Sequence, residues 1–315
     1  MGNKILVGVV LLLWGSTMTW LFTSKILPPL FYGDPPETSL ASRFEPTAWR
    51  IELNGKPCGV AVSQAVPGLL DTTEIHNRVK IDSLPLPAIA PKWMAGLLNQ
   101  IGKVTLDMRA RTTLDTLNNF SSFQTRIRVN DTPELIRMNG EVRDGKLQID
   151  LRTGDYDKNI SYPWREDRLL ACELTPDAQL KNLAVGKKWR RESYSLLGTP
   201  GNPVSPIEAE VVELETLSFQ GIMTPMFRIE YRSVEATGVS NEDRLRATIW
   251  VAEDGRVLRQ ELVLLSARLR FERMSPVESK KMASSHLELE RYATAKQVGE
   301  PIDITSSKGD LAAAP

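Results

Sequence analysis

The sequence predicts a mainly β protein, an antiparallel curved sheet or half-barrel with one or two short helices and a transmembrane helix at its N-terminus. Three observations predict it. Polar and apolar residues alternate with a period of two in segment after segment beyond Trp49. Asn-Gly and Asp-Gly pairs separate strand-like runs. Residues 5–22 form an apolar run without a charge.

The run ILVGVVLLLWGSTMTWLF, read as a helix, is roughly 27 Å long at about 1.5 Å per residue, close to the roughly 30 Å of a bilayer core. Trp20 and Phe22 suit a membrane interface, and Lys4 and Lys25 bracket the run. The alternative is a signal peptide removed after export. No small-x-small cleavage site and no lipobox cysteine follows Phe22, so an uncleaved signal anchor is the preferred reading. Residues 1–26 are the anchor, and residues 27–48 are a spacer. Pro28, Pro29, Pro35, Pro36 and Pro46 make that spacer semi-extended, because proline removes amide donors and fixes φ.

The body is expected over residues 49–274. Val104, Leu106, Met108 and Ala110 alternate with Thr105, Asp107, Arg109 and Arg111. Phe123, Ile127 and Val129 stand opposite Gln124, Arg126 and Arg128, and Leu147, Ile149 and Leu151 stand opposite Lys146, Gln148, Asp150 and Arg152. The same holds for Phe227, Ile229 and Tyr231 against Arg228, Glu230 and Arg232, and for Leu269 and Phe271 against Arg268, Arg270 and Glu272. Strands with one wet face belong to antiparallel sheets, since parallel strands are covered on both faces. Asn54-Gly55, Asp144-Gly145 and Asp254-Gly255 are expected hairpin tips. Gly140 is read as a bulge or a close-packing glycine. Short helices are expected at Pro91–Leu98 and at Trp164–Leu174. Two halves, about 49–163 and 187–274, are joined by 164–186, and one continuous sheet is preferred over two domains. Residues 275–315 are more polar, with a last strand or helical turn at His286–Tyr292 and a disordered end.

Composition narrows the function classes. Of 315 residues, 42% are hydrophobic and 25% charged, which suits a globular core. Lys+Arg and Asp+Glu are both 39, so no basic excess points to nucleic acid. The two cysteines, Cys58 and Cys172, fit no zinc or redox spacing; they are two buried thiols or, in an oxidising compartment, a possible disulfide. The two histidines, His76 and His286, form no metal motif. No cofactor is expected.

Three landmarks carry a family resemblance: W-R-I-x-L-N-G-K-x-x-G at Trp49–Gly59, L-x-V-G-K-K-W at Leu183–Trp189, and I-W-V-A-E-D-G-R-V-L-R-Q-E at Ile249–Glu261. In this order the chain resembles bacterial envelope β-proteins of the LolA/LolB-like or DUF3108-like kind. It also resembles the β-region upstream of some transglutaminase-like domains. The resemblance implies a LolA-like half-barrel cupping a hydrophobic ligand. It further implies an inner-membrane, single-pass protein with its body on the periplasmic side, or a secreted one if the N-terminus is cleaved. The chain departs from LolA and LolB in its uncleaved anchor and long spacer.

Catalytic motifs are missing. There is no G-x-S-x-G elbow, no phosphate loop and no G-x-G-x-x-G. The acid pairs Glu208/Glu210 and Glu213/Glu215 share one strand face and read as solvated. Lys187, Lys188, Arg190 and Arg191 around Trp189 read as an exposed strand start. The segment LPLPAIAPKWMAGLL at Leu84–Leu98 is long, apolar and proline-rich. Its Leu84, Leu86, Ile89, Trp93, Met94 and Leu97 form either a lid over a hydrophobic cavity or a plug filling the open side of the half-barrel. The expected function is a non-enzymatic, membrane-anchored binding or assembly module for an apolar ligand or envelope protein partner. A structural subunit of an envelope complex and a hydrolase with an unusual centre are the alternatives.

Overall fold

The computed structural model describes residues 2–22, 32–36, 44–85, 103–130, 136–154, 156–164, 169–170, 176–194, 204–234, 244–264 and 267–287. Helix α1 spans Gly2–Leu21 and leaves Leu12, Leu13, Trp14 and Trp20 exposed. Among the described residues no helix is long and apolar enough to cross a membrane. The side chains of residues 1–7, where the apolar run begins, lie outside that description.

The body is one sheet. Its first eight strands are β1 (Thr47–Leu53), β2 (Lys56–Pro67), β3 (Thr73–Pro85), β4 (Lys103–Leu114), β5 (Phe120–Val129), β6 (Ile136–Arg143), β7 (Lys146–Thr153) and β8 (Tyr156–Pro163). The rest are β9 (Leu169–Leu170), β10 (Lys188–Tyr194), β11 (Val204–Phe219), β12 (Ile222–Ser233), β13 (Leu245–Ala252), β14 (Val257–Leu264) and β15 (Ala267–Arg273). The order β8-β7-β6-β5-β4-β3-β2-β1-β15-β14-β13-β12-β11-β10-β9 joins two meanders where β1 pairs with β15 in the middle. The sheet is open rather than closed into a barrel, with β8 and β9 at its ends. Among the described residues every pairing is antiparallel except the two-residue match of β9 with β10. That strand corrects the helix expected at Trp164–Leu174: Leu169 and Leu170 pair beside Ser193 and Tyr194.

Period-two alternation sorts the strands into two faces. The inner face carries the core: Trp49, Ile51, Val79, Met108, Phe123, Leu147, Ile149, Trp189, Val211, Ile229 and Phe271 are all buried in one cluster. The sheet curls toward this face. The Trp164 amide donates to the Gly145 carbonyl at 2.8 Å, and its ring lies 4.9 Å from that of Phe120 on β5. In a flat sheet β5 and β8 stand roughly 14 Å apart. At the other half, Gln179 bridges to Arg256 and the Leu180 amide donates to Gly255 at 2.8 Å. Residues 178–180 therefore lie against the β13–β14 turn.

The turns follow their chemistry. Asn54-Gly55 and Asp144-Gly145 take positive φ at both residues, as a two-residue hairpin with the right twist requires. Asp254-Gly255 differs: only Gly255 is positive, and the Ala252 amide donates to the Arg256 carbonyl around a longer loop. Gln220-Gly221, unremarked in the sequence, is the tip of the longest hairpin, β11–β12. Gly140 is a close-packing position inside a regular ladder. A Cβ there would stand 2.0 Å from the Phe123 ring.

Among the described residues one helix covers part of the outer face. Helix α2 (Pro276–His286) starts with a capping box, in which Ser275 accepts from the Glu278 amide and Glu278 accepts from the Ser275 amide. It packs on Ala48, Val62 and Met274 through Ala283 and Leu287. The buried Ser279 hydroxyl accepts the Ala48 N–H at 3.1 Å. Helix α2 ends at His286, and all but the first two residues of the last strand or helical turn expected at His286–Tyr292 lie outside the described residues. Residues 288–315 lie outside the described residues.

Candidate functional site

Two surfaces combine polar chemistry with an unusual setting. The first is the outer face of the N-terminal meander. Residues directly opposite on neighbouring strands share a face. Arg78 stands opposite Arg109, Arg109 opposite Arg126, Arg126 opposite Arg137, and Arg137 opposite Arg152. Five consecutive strands thus place one arginine each on a straight row, at roughly 4.8 Å per strand. Val62 and Ala48 continue the row beneath α2. Asp157 closes its far end, 2.9 Å from Arg152.

Helix α2 meets the row head-on. Arg78 donates through Nη1 to the His286 carbonyl at 3.1 Å, placing a cation at the helix C-terminus. Its Nε and Nη2 hold both oxygens of Asp107, at 2.9 and 2.8 Å, and Asp107 also lies 3.8 Å from Arg109. Burial alone would raise the Asp107 carboxyl, but the Arg78 hydrogen bonds and the charges of Arg78, Arg109 and Arg128 bring it below the usual range. Burial, then the Arg78 charge, lowers His286 from its ordinary value. Arg109, Arg126 and Arg137 each have interactions of their own as well. The end of α2 and the first three arginines of the row border a half-open cavity of about 50 Å³ lined by His76, Arg78, Arg109, Arg111, Arg126 and His286, among others. From Arg111 and Gln124 an open groove of about 530 Å³ continues across β5, β6 and β7 to Asp150. Gln124 donates to Asn139 at 3.2 Å on its floor. Next to it, His76 and Glu74 pair at 3.1 Å, both buried.

The second lies within the core on the inner face. Asn77 and Thr125 are buried at 2% and 0% exposure on strands two apart, with the small Ala110 between them. Both amide atoms of Asn77 and the Thr125 hydroxyl have no hydrogen-bond partner. Polar groups so buried are normally satisfied by protein or water.

The sequence-level candidates distribute as follows. Leu84 is a buried core residue at the end of β3, packed with Val104. Leu86, Ile89, Trp93, Met94 and Leu97 lie outside the described residues, as does the helix expected at Pro91–Leu98. Cys58 is a free thiol at a bulge in β2, pushed up to about 11 by burial and then by Glu52 and Asp82. His76 pairs with Gln64, six residues along β2 from Cys58, so the two are roughly 20 Å apart and do not form a nucleophile–base pair. Cys172 lies outside the described residues. The acid pairs are ion-paired: Glu208 with Arg190, Glu210 with Lys188, and Glu213 and Glu215 with Arg228. Among the described residues no group of three or more His, Cys, Asp and Glu could hold a metal ion.

The spacer contributes a contact the sequence did not suggest. The Gly33 amide donates to the Lys188 carbonyl at 2.8 Å on the edge of β10. Tyr32 donates to Glu208 at 2.8 Å, and the Arg190 guanidinium lies 4.1 Å above its ring. Residues 32–36 are thus seated against the body.

Comparison with known proteins adds little. No family model matches the chain, and no curated protein matches it in sequence. In structure it is similar to a beta-barrel-like protein of domain of unknown function DUF1849 from Brucella abortus, at a TM-score of 0.44 and 9% identity. That match covers 73% of this chain and 95% of the other.

Proposed function

We propose that the protein is a non-enzymatic binding module of the bacterial envelope, anchored by residues 5–22, whose curled sheet receives a largely apolar ligand on its inner face. The observation that carries this reading is the pair Asn77 and Thr125. A mostly apolar surface with a few polar atoms aimed into it is how sites for amphipathic small molecules are built. An acyl chain would enter by parting the packed Val79, Met108 and Ile127, all buried here, and its hydroxyl, ester or carboxyl oxygens would then meet the Asn77 amide and the Thr125 hydroxyl. The exposed apolar side chains of α1 support the anchor, because a helix that is apolar all round needs a non-aqueous setting. In this reading the body lies on the periplasmic side of the inner membrane.

The test is mass spectrometry of organic extracts from full-length protein purified out of membranes. Stoichiometric amounts of one lipid class are expected, reduced at least tenfold in N77L and T125V. Extracts no richer in lipid than the detergent blank, from protein that melts cooperatively, would remove the reading. A second reading, a structural subunit of an envelope complex, is favoured by β8. Among the described strands it pairs only with β7, which leaves an eight-residue edge open to strand addition.

A further inference from the structure

We infer that the end of the sheet at which the chain enters β1 is a membrane-docking surface, where Leu69, Leu70, Leu117, Ile222 and Met223 dip into the interface of a lipid bilayer. The inference rests on the anchor proposed above and adds to it the side of the body that meets the lipid.

The distribution of exposed apolar side chains carries the argument. The strands of a meander turn alternately at the two ends of a sheet. The β2–β3, β4–β5 and β11–β12 turns therefore lie at one end, with the starts of β1 and α2. Leu69 and Leu70 are exposed in the first of these turns, Leu117 in the second, and Ile222 and Met223 directly after the third. Phe44, just before β1, and Val277, in the first turn of α2, are exposed at the same end. Of the large apolar side chains that the described body exposes, only Tyr156, Val185 and Leu214 stand elsewhere. The turn positions described at the opposite end include Asn54, Gly55, Asn130 and Gly154, none with an apolar side chain. Single exposed apolar residues are ordinary, but a gathering of them marks a contact surface.

The turns hold these side chains outward. The Gly68 amide donates to the Thr72 carbonyl at 2.7 Å, and the Thr72 hydroxyl donates to the Leu69 carbonyl at 2.6 Å. Leu70, 90% exposed, takes a φ of 53°, where glycine or asparagine is less strained. Leucine therefore serves there through its side chain rather than through the turn. In the β4–β5 turn the Asp115 carboxylate accepts the Leu117 and Asn119 amides at 2.9 and 2.8 Å. The β11–β12 tip returns to the end of β15, where Gln220 donates to the Arg273 carbonyl at 3.1 Å.

A bilayer is the occupant that the chain itself brings. Helix α1 precedes the body, and the chain reaches β1 at this end. The seated residues 32–36 also shorten the tether. From Phe22 to Tyr32 the chain spans at most roughly 35 Å, against roughly 85 Å from Phe22 to Thr47 without that contact. A body held so close brings its apolar tips to the interface, where burying them out of water favours docking.

The test is photolabelling of the full chain in vesicles of phosphatidylethanolamine and phosphatidylglycerol that carry a phosphatidylcholine with a diazirine on its acyl chain. Peptide mapping is expected to find adducts on α1 and on the peptides holding Leu69 and Leu70, Leu117, and Ile222 and Met223. At least tenfold fewer are expected on the peptide with Tyr156. L70S/L117S should cut the adducts on the Ile222 and Met223 peptide at least threefold, with α1 labelled as before and the melting temperature unchanged. L70M/L117M should keep them. Label on the tips but not on α1 would remove the anchor and support the docking surface, and label on neither would remove both. With α1 labelled, three outcomes would overturn the inference: bare tips, label spread equally over both ends, or L70S/L117S leaving the Ile222 and Met223 peptide labelled as in the parent.

Discussion

Across β10–β15 and onto β1, an arginine on one strand meets a glutamate on the next. Across β3–β7 an arginine meets an arginine four times running. The residue types, the face and the strand geometry are the same; only the order of signs differs. In the first region Glu230 ties together Arg228 and Arg232, Glu261 holds Arg270, and Trp250 donates to Glu215 at 2.7 Å. Its one like-charge pairing, Glu210 opposite Glu230, is relieved on both sides, by Lys188 and by the two arginines. Such a lattice adds modest stability and fixes register. In the second region the counter-charges stand off the row instead: Asp107 holds Arg78, Asp157 holds Arg152, Glu141 holds Arg143, and Arg109, Arg126 and Arg137 each have interactions of their own. The difference teaches that a sheet face can settle its charges along one cross-strand row or between neighbouring rows.

The comparison can be tested at both ends. The largest effect is expected at Glu230, whose side chain is 9% exposed between two half-buried arginines. E230Q should cost about 3 kcal/mol in urea denaturation, the low end for breaking a buried pair, because both arginines retain some solvent. In the arginine region a much smaller loss is expected: R152Q, whose partner Asp157 is more than half exposed, should cost at most about 0.5 kcal/mol, read from the same titration. A clear loss there would erase the distinction between the regions.

Acid sharpens the contrast. Asp107 is held below its ordinary value in the folded state, so its contribution is complete above its unfolded pKa of about 3.9 and is lost as pH falls through the lower folded value. His286 is also lowered, so its proton is taken up first by the unfolded chain. Stability should therefore rise with pH from the folded value up to about 6.5. Denaturation from pH 2 to pH 7 should show both slopes, with the acidic one flattened in D107N. The smallest effect is in salt. Near 1 M, screening should slow amide exchange in β5 and β6, where repulsion is relieved, and speed it in β12 and β13, where attraction is weakened.

Much of the fold was legible because antiparallel strands write their burial directly into the sequence. Alternation at Val104–Arg111 or Lys146–Arg152 needs no partner strand to be read. The α2 helix was equally written, in Ser275, Pro276 and Glu278, but its eleven residues show no broad apolar stripe, and the start signal went unread. Gln220-Gly221 was missed because Gln is an uncommon residue at positive φ. The arginine row was visible only in pieces. Arg109, Arg126 and Arg152 were read on wet faces and Arg78 and Arg137 were not read at all, and their alignment depends on turn lengths and on the bulges near Ile81 and Thr113, which set the pairing. Asn77 and Thr125 were hidden for a similar reason, since nothing local says that a polar residue at an inward position lacks a partner.

The join between β1 and β15 has a consequence for how the molecule is made. These strands are separated by almost the whole body yet lie side by side in the middle of the sheet. As synthesis proceeds, the first meander can assemble early, but β1 keeps one unpaired edge until residue 273 has emerged. Contacts so distant along the chain slow folding, and an edge left waiting invites pairing with the wrong strand. Handling of the nascent chain should therefore matter most in the interval between the completion of β8 and the arrival of β15.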